Sequence, residues 1–252
     1  MLNISFIGSG NVATHLANAL KAASHNIVEV WSRNPEHAKR LAREVGAGTV
    51  EYIRELRKVD VIIAAVSDDA LTAVSHLIEP AQLLVHTSGS VPLEALSTGR
   101  RGVFYPLQTF TRDKAVDMRN VPVCIEAGDE LDEALLRNAA ESISDAVHVI
   151  SSEQRKHLHL AAVFACNFSN HLYRIAELIL QDQDMELDLL KPLILETALK
   201  VQDLSPREAQ TGPARRGDTH VLNSHLHLLK DPELRAMYGD FSERIIKDHD
   251  HL

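Results

Sequence analysis

Residues 2–13 read Leu2-Asn3-Ile4-Ser5-Phe6-Ile7-Gly8-Ser9-Gly10-Asn11-Val12-Ala13: an apolar run, a turn built on two glycines, and the start of a helical pattern. Gly8 permits a tight turn, Gly10 leaves no side chain in the way of an approaching phosphate, and Ala13 is small enough for close helix–strand packing. The free N–H groups of the helix N-terminus and the positive end of its dipole would face the anion. Small residues at this spacing also occur in purely structural turns. Here a second strand-like run, Ile27–Trp31, follows at the distance of a βαβ unit. We therefore expect a dinucleotide site whose first part is Gly8, Ser9, Gly10, Asn11 and Val12.

The end of the second run bears on which dinucleotide. A site for NAD ordinarily places Asp or Glu there to accept from the ribose 2′-hydroxyl. This chain instead has Ser32-Arg33-Asn34. Ser32 and Asn34 can donate hydrogen bonds, and Arg33 can pair with a 2′-phosphate and stack beside the adenine. A solvated loop arginine is the plainer reading of Arg33. Glu29 lies within the strand and should point elsewhere. The expected cofactor is NADP.

With 252 residues, of which 45% are hydrophobic and 24% charged, the chain can bury a large core or two smaller ones. A net charge of −9 argues against a general nucleic-acid binder, which would present a basic face. Cys124 and Cys166 lie in apolar runs and read as buried thiols rather than a disulfide or metal framework. No apolar run is long enough to span a bilayer, and no signal peptide precedes the first strand. The expectation is a cytoplasmic protein with neither a membrane nor a nucleic acid as partner. His225, His227, His249 and His251 lack a convergent third ligand, so no metal site is expected.

Up to about residue 150, short apolar runs without polar alternation alternate with helical patterns, as in a parallel sheet covered on both faces. The helical patterns include Glu51–Lys58 and Asp69–Ile78. Beyond Ser151 only helical patterns remain. We expect an α/β fold: a doubly wound, mostly parallel Rossmann sheet over 1–150, then a smaller all-helical domain over 151–252 for substrate binding and dimerisation. Ligands of such sheets lie at the carboxyl ends of the strands. Those ends supply Val66 and Ser67, then His86, Thr87 and Ser88, as further cofactor-binding candidates, and Tyr105 as a substrate-binding candidate. Asp68 reads as a helix cap.

In the second half, the helix from Glu153 carries Lys156, His159, Asn167 and Asn170 within an arc of about 80°, at ~100° per residue. The neighbouring positions are mostly apolar. A narrow polar stripe is costly to bury without a partner. It would line a cleft or form a hydrogen-bonded helix seam. Later, Thr211-Gly212-Pro213-Ala214-Arg215-Arg216-Gly217-Asp218 marks a bent loop with two arginines able to hold a carboxylate or phosphate. A solvated turn is the alternative.

On Gly8–Ala13, His86-Thr87-Ser88-Gly89, Tyr105–Phe110, the helix through His159 and Asn167, and Thr211–Asp218, the chain resembles a family of NADP-dependent oxidoreductases. These pair a Rossmann-like N-terminal domain with a helical C-terminal domain of unknown function. More distantly it is similar to pyrroline-5-carboxylate reductase and to the 6-phosphogluconate and 3-hydroxyacid dehydrogenases. That wider resemblance implies a 2′-phosphate site at Ser32–Asn34 and a homodimer through the helical domain. One departure matters. The hydroxyacid dehydrogenases carry a catalytic Lys with Asn one turn later, whereas Leu160 follows Lys156 at that offset. Tyr105 also stands where the closer family implies histidine.

These readings converge on hydride transfer between nicotinamide and a carbonyl or imine carbon of a small anionic substrate. His159 would act as proton donor, with Asn167 and Asn170 positioning the reactants and Arg215 or Arg216 holding the anionic group. A non-catalytic NADP-binding sensor or scaffold is the alternative.

Overall fold

The computed structural model describes residues 1–250. Strand β1 (Asn3–Ile7) runs through the glycine turn into helix α1 (Asn11–Ala22), and β2 (Asn26–Trp31) leads to α2 (Pro35–Val45). Then follow β3 (Gly48–Thr49), β4 (Val61–Ala64), α3 (Asp68–Ser75), β5 (Leu84–His86), β6 (Arg101–Pro106), β7 (Val123–Ala127), α4 (Glu130–Glu141) and β8 (Val147–Val149). The sheet order is β3-β2-β1-β4-β5-β6-β7-β8. Neighbouring strands are parallel except β6 and β7. The order reverses between β1 and β4, which opens a crevice at the carboxyl ends of the strands. The expected doubly wound, mostly parallel sheet is present.

Alternation along the strands makes two cores. Ile4, Phe6, Val61, Ile63, Leu83 and Val85 face one helical layer, while Ile7, Ile62, Ala64 and Leu84 face the other. Both faces of the central strands are covered, so β4 needs an unbroken apolar run. Asn34 caps α2 by accepting from the Glu36 N–H at 3.0 Å, and Gly46 ends that helix in the left-handed conformation.

One helical expectation is corrected. Glu51–Lys58 forms only a single 3-10 turn, Ile53–Glu55. The Glu55 carboxylate takes the N–H groups of Glu51 and Tyr52, and the Trp31 indole donates to the Glu51 carbonyl at 3.0 Å. Side chains thus satisfy the backbone that a longer helix would have satisfied itself.

Two compact units divide the chain at Met1–His171 and Leu172–Leu252. The first unit includes α5 (Ser152–Ala162), a π-helical segment Val163–Phe168, and the start of α6 (Ser169–Gln181). The second is helical: the rest of α6, α7 (Lys191–Asp203), α8 (Pro206–Ala209), α9 (Thr219–Leu228) and α10 (Pro232–Asp250). Within it, Asp218 caps α9 by accepting from the Val221 N–H, and the Tyr238 hydroxyl lies 2.7 Å from His225 Nδ1. No helix among the described residues is long and apolar enough to cross a membrane. No cluster of three metal-ligating side chains occurs among them, and His251 falls outside them.

Candidate active site

The glycine turn is shaped by the strand beside it. Gly8 has φ +111°, and a Cβ there would collide with the Ala65 carbonyl. Gly10 faces open space, with nothing within 4 Å of where its Cβ would be. Helix α1 has no side-chain cap and no acidic residue in its first turn, so its N-terminal N–H groups present an uncompensated positive end. This is the arrangement an anion requires. The Ser9 hydroxyl donates to Ser32 Oγ at 2.9 Å, which ties the turn to the tip of β2.

At that tip Arg33 is exposed and forms no ion pair among the described residues. The Asn34 side chain is engaged through Oδ1 in capping α2. The Glu29 carboxylate is buried and bound by the Arg57 backbone N–H and guanidinium, at 2.8 and 2.7 Å, so it is turned away from the tip. A free guanidinium with no competing carboxylate fits a 2′-phosphate.

After β4, Val66 is half-buried, and Ser67 immediately precedes α3 without capping it through its side chain. Asp68 is the first residue of α3, and its carboxylate accepts from the Ser90 hydroxyl at 2.8 Å. The loop after β5 is folded by Ser88 Oγ, which takes the N–H groups of Ser90 and Val91, both at 3.1 Å. Thr87 is half-buried.

His86 is fully buried. Its Nδ1 accepts the Ser88 N–H at 3.2 Å, which places the proton of the neutral ring on Nε2, and Nε2 has no hydrogen-bond partner. Burial, with the nearby Arg155 guanidinium adding to it, lowers the pKa of His86 to about 4.

The most concentrated chemistry lies where α5 meets the ends of β5 and β6. Tyr105 Oη is 3.2 Å from His159 Nδ1, with the rings edge to face. His159 lies against Gly89, and burial raises the pKa of Tyr105. The phenol therefore stays protonated and can donate to Nδ1, leaving the imidazole proton on Nε2.

Residues that the sequence patterns did not single out hold this helix in place. Arg155, fully buried one turn before His159, pairs with Glu126 of β7 and donates to the Val91 carbonyl at 2.6 Å. Ser152 at the start of α5 donates through both its N–H and its hydroxyl to Glu126, each at 2.8 Å. The only sequence signal for this pair was an arginine in the first turns of a greasy helix, which solvent exposure would have explained equally well. Separating a buried pair by deleting one partner costs about 3–5 kcal/mol, so α5 is firmly attached.

The polar stripe does not continue as straight helix. The Val163–Phe168 π segment changes the phase between His159 and the asparagines, so the arc drawn at a constant turn per residue does not carry across it. Asn167 and Asn170 are exposed and make no hydrogen bond with His159, and Lys156 is exposed. Arg215 and Arg216 are exposed in the second unit, on the loop between α8 and α9.

Residues 3–88 match the family described as NADP oxidoreductase, coenzyme F420-dependent, and residues 121–245 match a domain of unknown function, DUF2520. A putative NADP oxidoreductase from Bacteroides fragilis is 40% identical, with a TM-score of 0.90 and 98% of each chain covered. More remote solved structures share the fold. A 1-pyrroline-5-carboxylate reductase from Streptococcus pyogenes has TM-score 0.65 at 16% identity, covering 100% of this chain and 99% of its own. A reductive aminase from Aspergillus terreus, in complex with NADPH and ethyl-5-oxohexanoate, has TM-score 0.72 at 13% identity, covering 98% and 94%. No curated protein matches the chain. On the match along its full length, this chain belongs to the NADP oxidoreductase family that joins a Rossmann domain to a DUF2520 domain.

Proposed function

We propose that the protein is an NADPH-dependent reductase acting on a carbonyl or imine carbon of a small, anionic substrate. The observation that carries this reading is the Tyr105–His159 pair at 3.2 Å, at the carboxyl end of the sheet. When bound, NADPH supplies the hydride. The turn at Gly8–Val12 would hold its pyrophosphate, Ser32 and Arg33 its 2′-phosphate, and the strand-end residues from Val66 to Ser88 its remaining parts.

His159 donates its Nε2 proton to the oxygen or nitrogen of the group being reduced as the Tyr105 hydroxyl passes its own proton to Nδ1, so the ring stays neutral and solvent returns a proton to the phenolate. His86 cannot readily share that role, since its ring is buried. Asn167 and Asn170 would orient the substrate or the carboxamide, and Arg215 or Arg216 would pair with its anionic group. The reductive aminase that shares the fold was solved with NADPH and an oxo ester, which supports the carbonyl or imine class.

The second unit supports a homodimer. Leu195 is 60% and Leu199 52% exposed, one turn apart on the same side of α7, which has no buried residue. Exposed apolar side chains sharing a helix face suit an interface with a second copy of the chain.

The test is a screen of small oxo acids and cyclic imines that follows NADPH absorbance with wild type and His159→Ala. Turnover lowered about 10²–10⁴-fold in the variant, the range for a lost general acid, supports the assignment. Full turnover by the variant removes His159 from the chemistry. Tight NADPH binding with no turnover on any substrate favours the sensor reading.

A further inference from the structure

The segment after β6 reaches back over the glycine turn. Arg112 Nη2 donates to the Ser9 carbonyl at 2.6 Å, and the Asn11 amide donates to the Phe110 carbonyl at 2.9 Å. His15 Nε2 lies 3.0 Å from the Thr111 carbonyl, and its ring stacks on Phe110 with centroids 4.8 Å apart. Four contacts thus fasten a strap from the β6–β7 connection onto the start of α1.

Arg112 is the informative member. Its Nε is buried and has no hydrogen-bond partner, although the guanidinium carries five donors. A buried donor without a partner costs free energy that an incoming acceptor would relieve. The turn itself contains no cation, and α1 has no lysine or arginine before Lys21, ten residues further on. A pyrophosphate bound there would meet backbone N–H groups and a dipole end, and its charge would otherwise go unpaired.

We propose that Arg112 is the cationic ligand of the cofactor's pyrophosphate, and that Phe110–Arg112 is a strap that closes on the bound diphosphate. This rests on the reading that the glycine turn holds NADP. The guanidinium exchanges the Ser9 carbonyl for phosphate oxygens, while the Asn11 and His15 contacts keep the strap in register.

The experiment titrates wild type, Arg112→Gln and Arg112→Lys with NADPH, with 2′-phospho-ADP-ribose, and with adenosine 2′-monophosphate, which lacks the diphosphate. Arg112→Gln should weaken the first two by about 10–100-fold, the loss of a charge-assisted bidentate contact, and leave the third within about twofold. Arg112→Lys, which keeps the charge and guards against a variant that fails to fold, should recover part of the loss. The wild-type affinity should also fall more steeply with salt than that of Arg112→Gln. Unchanged NADPH affinity in Arg112→Gln, or an equal loss for adenosine 2′-monophosphate, overturns this proposal alone. Failure of the wild type to bind NADPH overturns the cofactor reading and the proposal with it.

Discussion

The imidazole of His159 lies directly on the bare Cα of Gly89: a Cβ built there would be 2.6 Å from the ring carbon Cγ and 2.7 Å from Nδ1. Contacts this short require a shift, and the backbone of the β5 loop is held by Ser88, so the ring must move. Gly89→Ala should therefore displace His159 from the Tyr105 hydroxyl. We expect turnover to fall at least about tenfold, with NADPH affinity little changed, because a small misplacement of a catalytic group costs far more in rate than in binding. A steady-state assay paired with NADPH titration checks the split.

His86 makes the fold sensitive to acid. Its folded pKa, about 4, lies below the value of 6.5 for the unfolded chain. The unfolded state then binds the extra proton between these values, so the stability is fully present above pH 6.5 and is lost as pH falls through the folded pKa. Wild type should lose about 2 kcal/mol more than His86→Asn on going from about pH 7.5 to pH 5. Urea denaturation at both pH values measures it. Parallel losses in the two proteins would assign the acid sensitivity to other groups.

Arg33 has no partner among the described residues to lose, so replacing it should spare the fold. We expect Arg33→Ala to bind NADPH about 10–100-fold more weakly while NADH affinity stays the same, since only the 2′-phosphate contact disappears. Fluorescence titration with both cofactors decides it. Equal losses for both would show that Arg33 acts elsewhere.

The exposed leucines of α7 predict an assembly. Wild type should elute in light-scattering chromatography with the mass of two chains, and Leu195→Glu with Leu199→Glu should shift it towards one, because two carboxylates on an apolar face are costly to bury. A wild-type monomer at micromolar concentration would remove the dimer from the functional reading.

Much of the Rossmann half was legible because its signals are local. Gly8 is demanded by a backbone conformation and the apolar run Val61–Ala64 by burial on both faces, whereas Asn34, read as a cofactor contact, was seen to cap α2 only in the structure. The Glu51–Lys58 pattern was misleading because side chains brought from β2 and from Glu55 compete for its backbone. The asparagine arc was drawn for a straight helix: a π segment is an inserted residue in the hydrogen-bond ladder, and apolar periodicity carries no mark of it.

The sequence by itself determined the fold class, the position of the glycine turn between β1 and α1 and the absence of a carboxylate at the tip of β2, since each depends on residues near one another in the chain. Tertiary structure alone decided that Tyr105 and His159, 54 positions apart, meet at 3.2 Å, that Glu126 and Arg155 hold their helix, and that Arg112 reaches the Ser9 carbonyl across 103 positions. These pairings are set by the packing of the sheet, the α5 helix and the β6–β7 connection, and spacing along the chain does not encode which side chains that packing brings together.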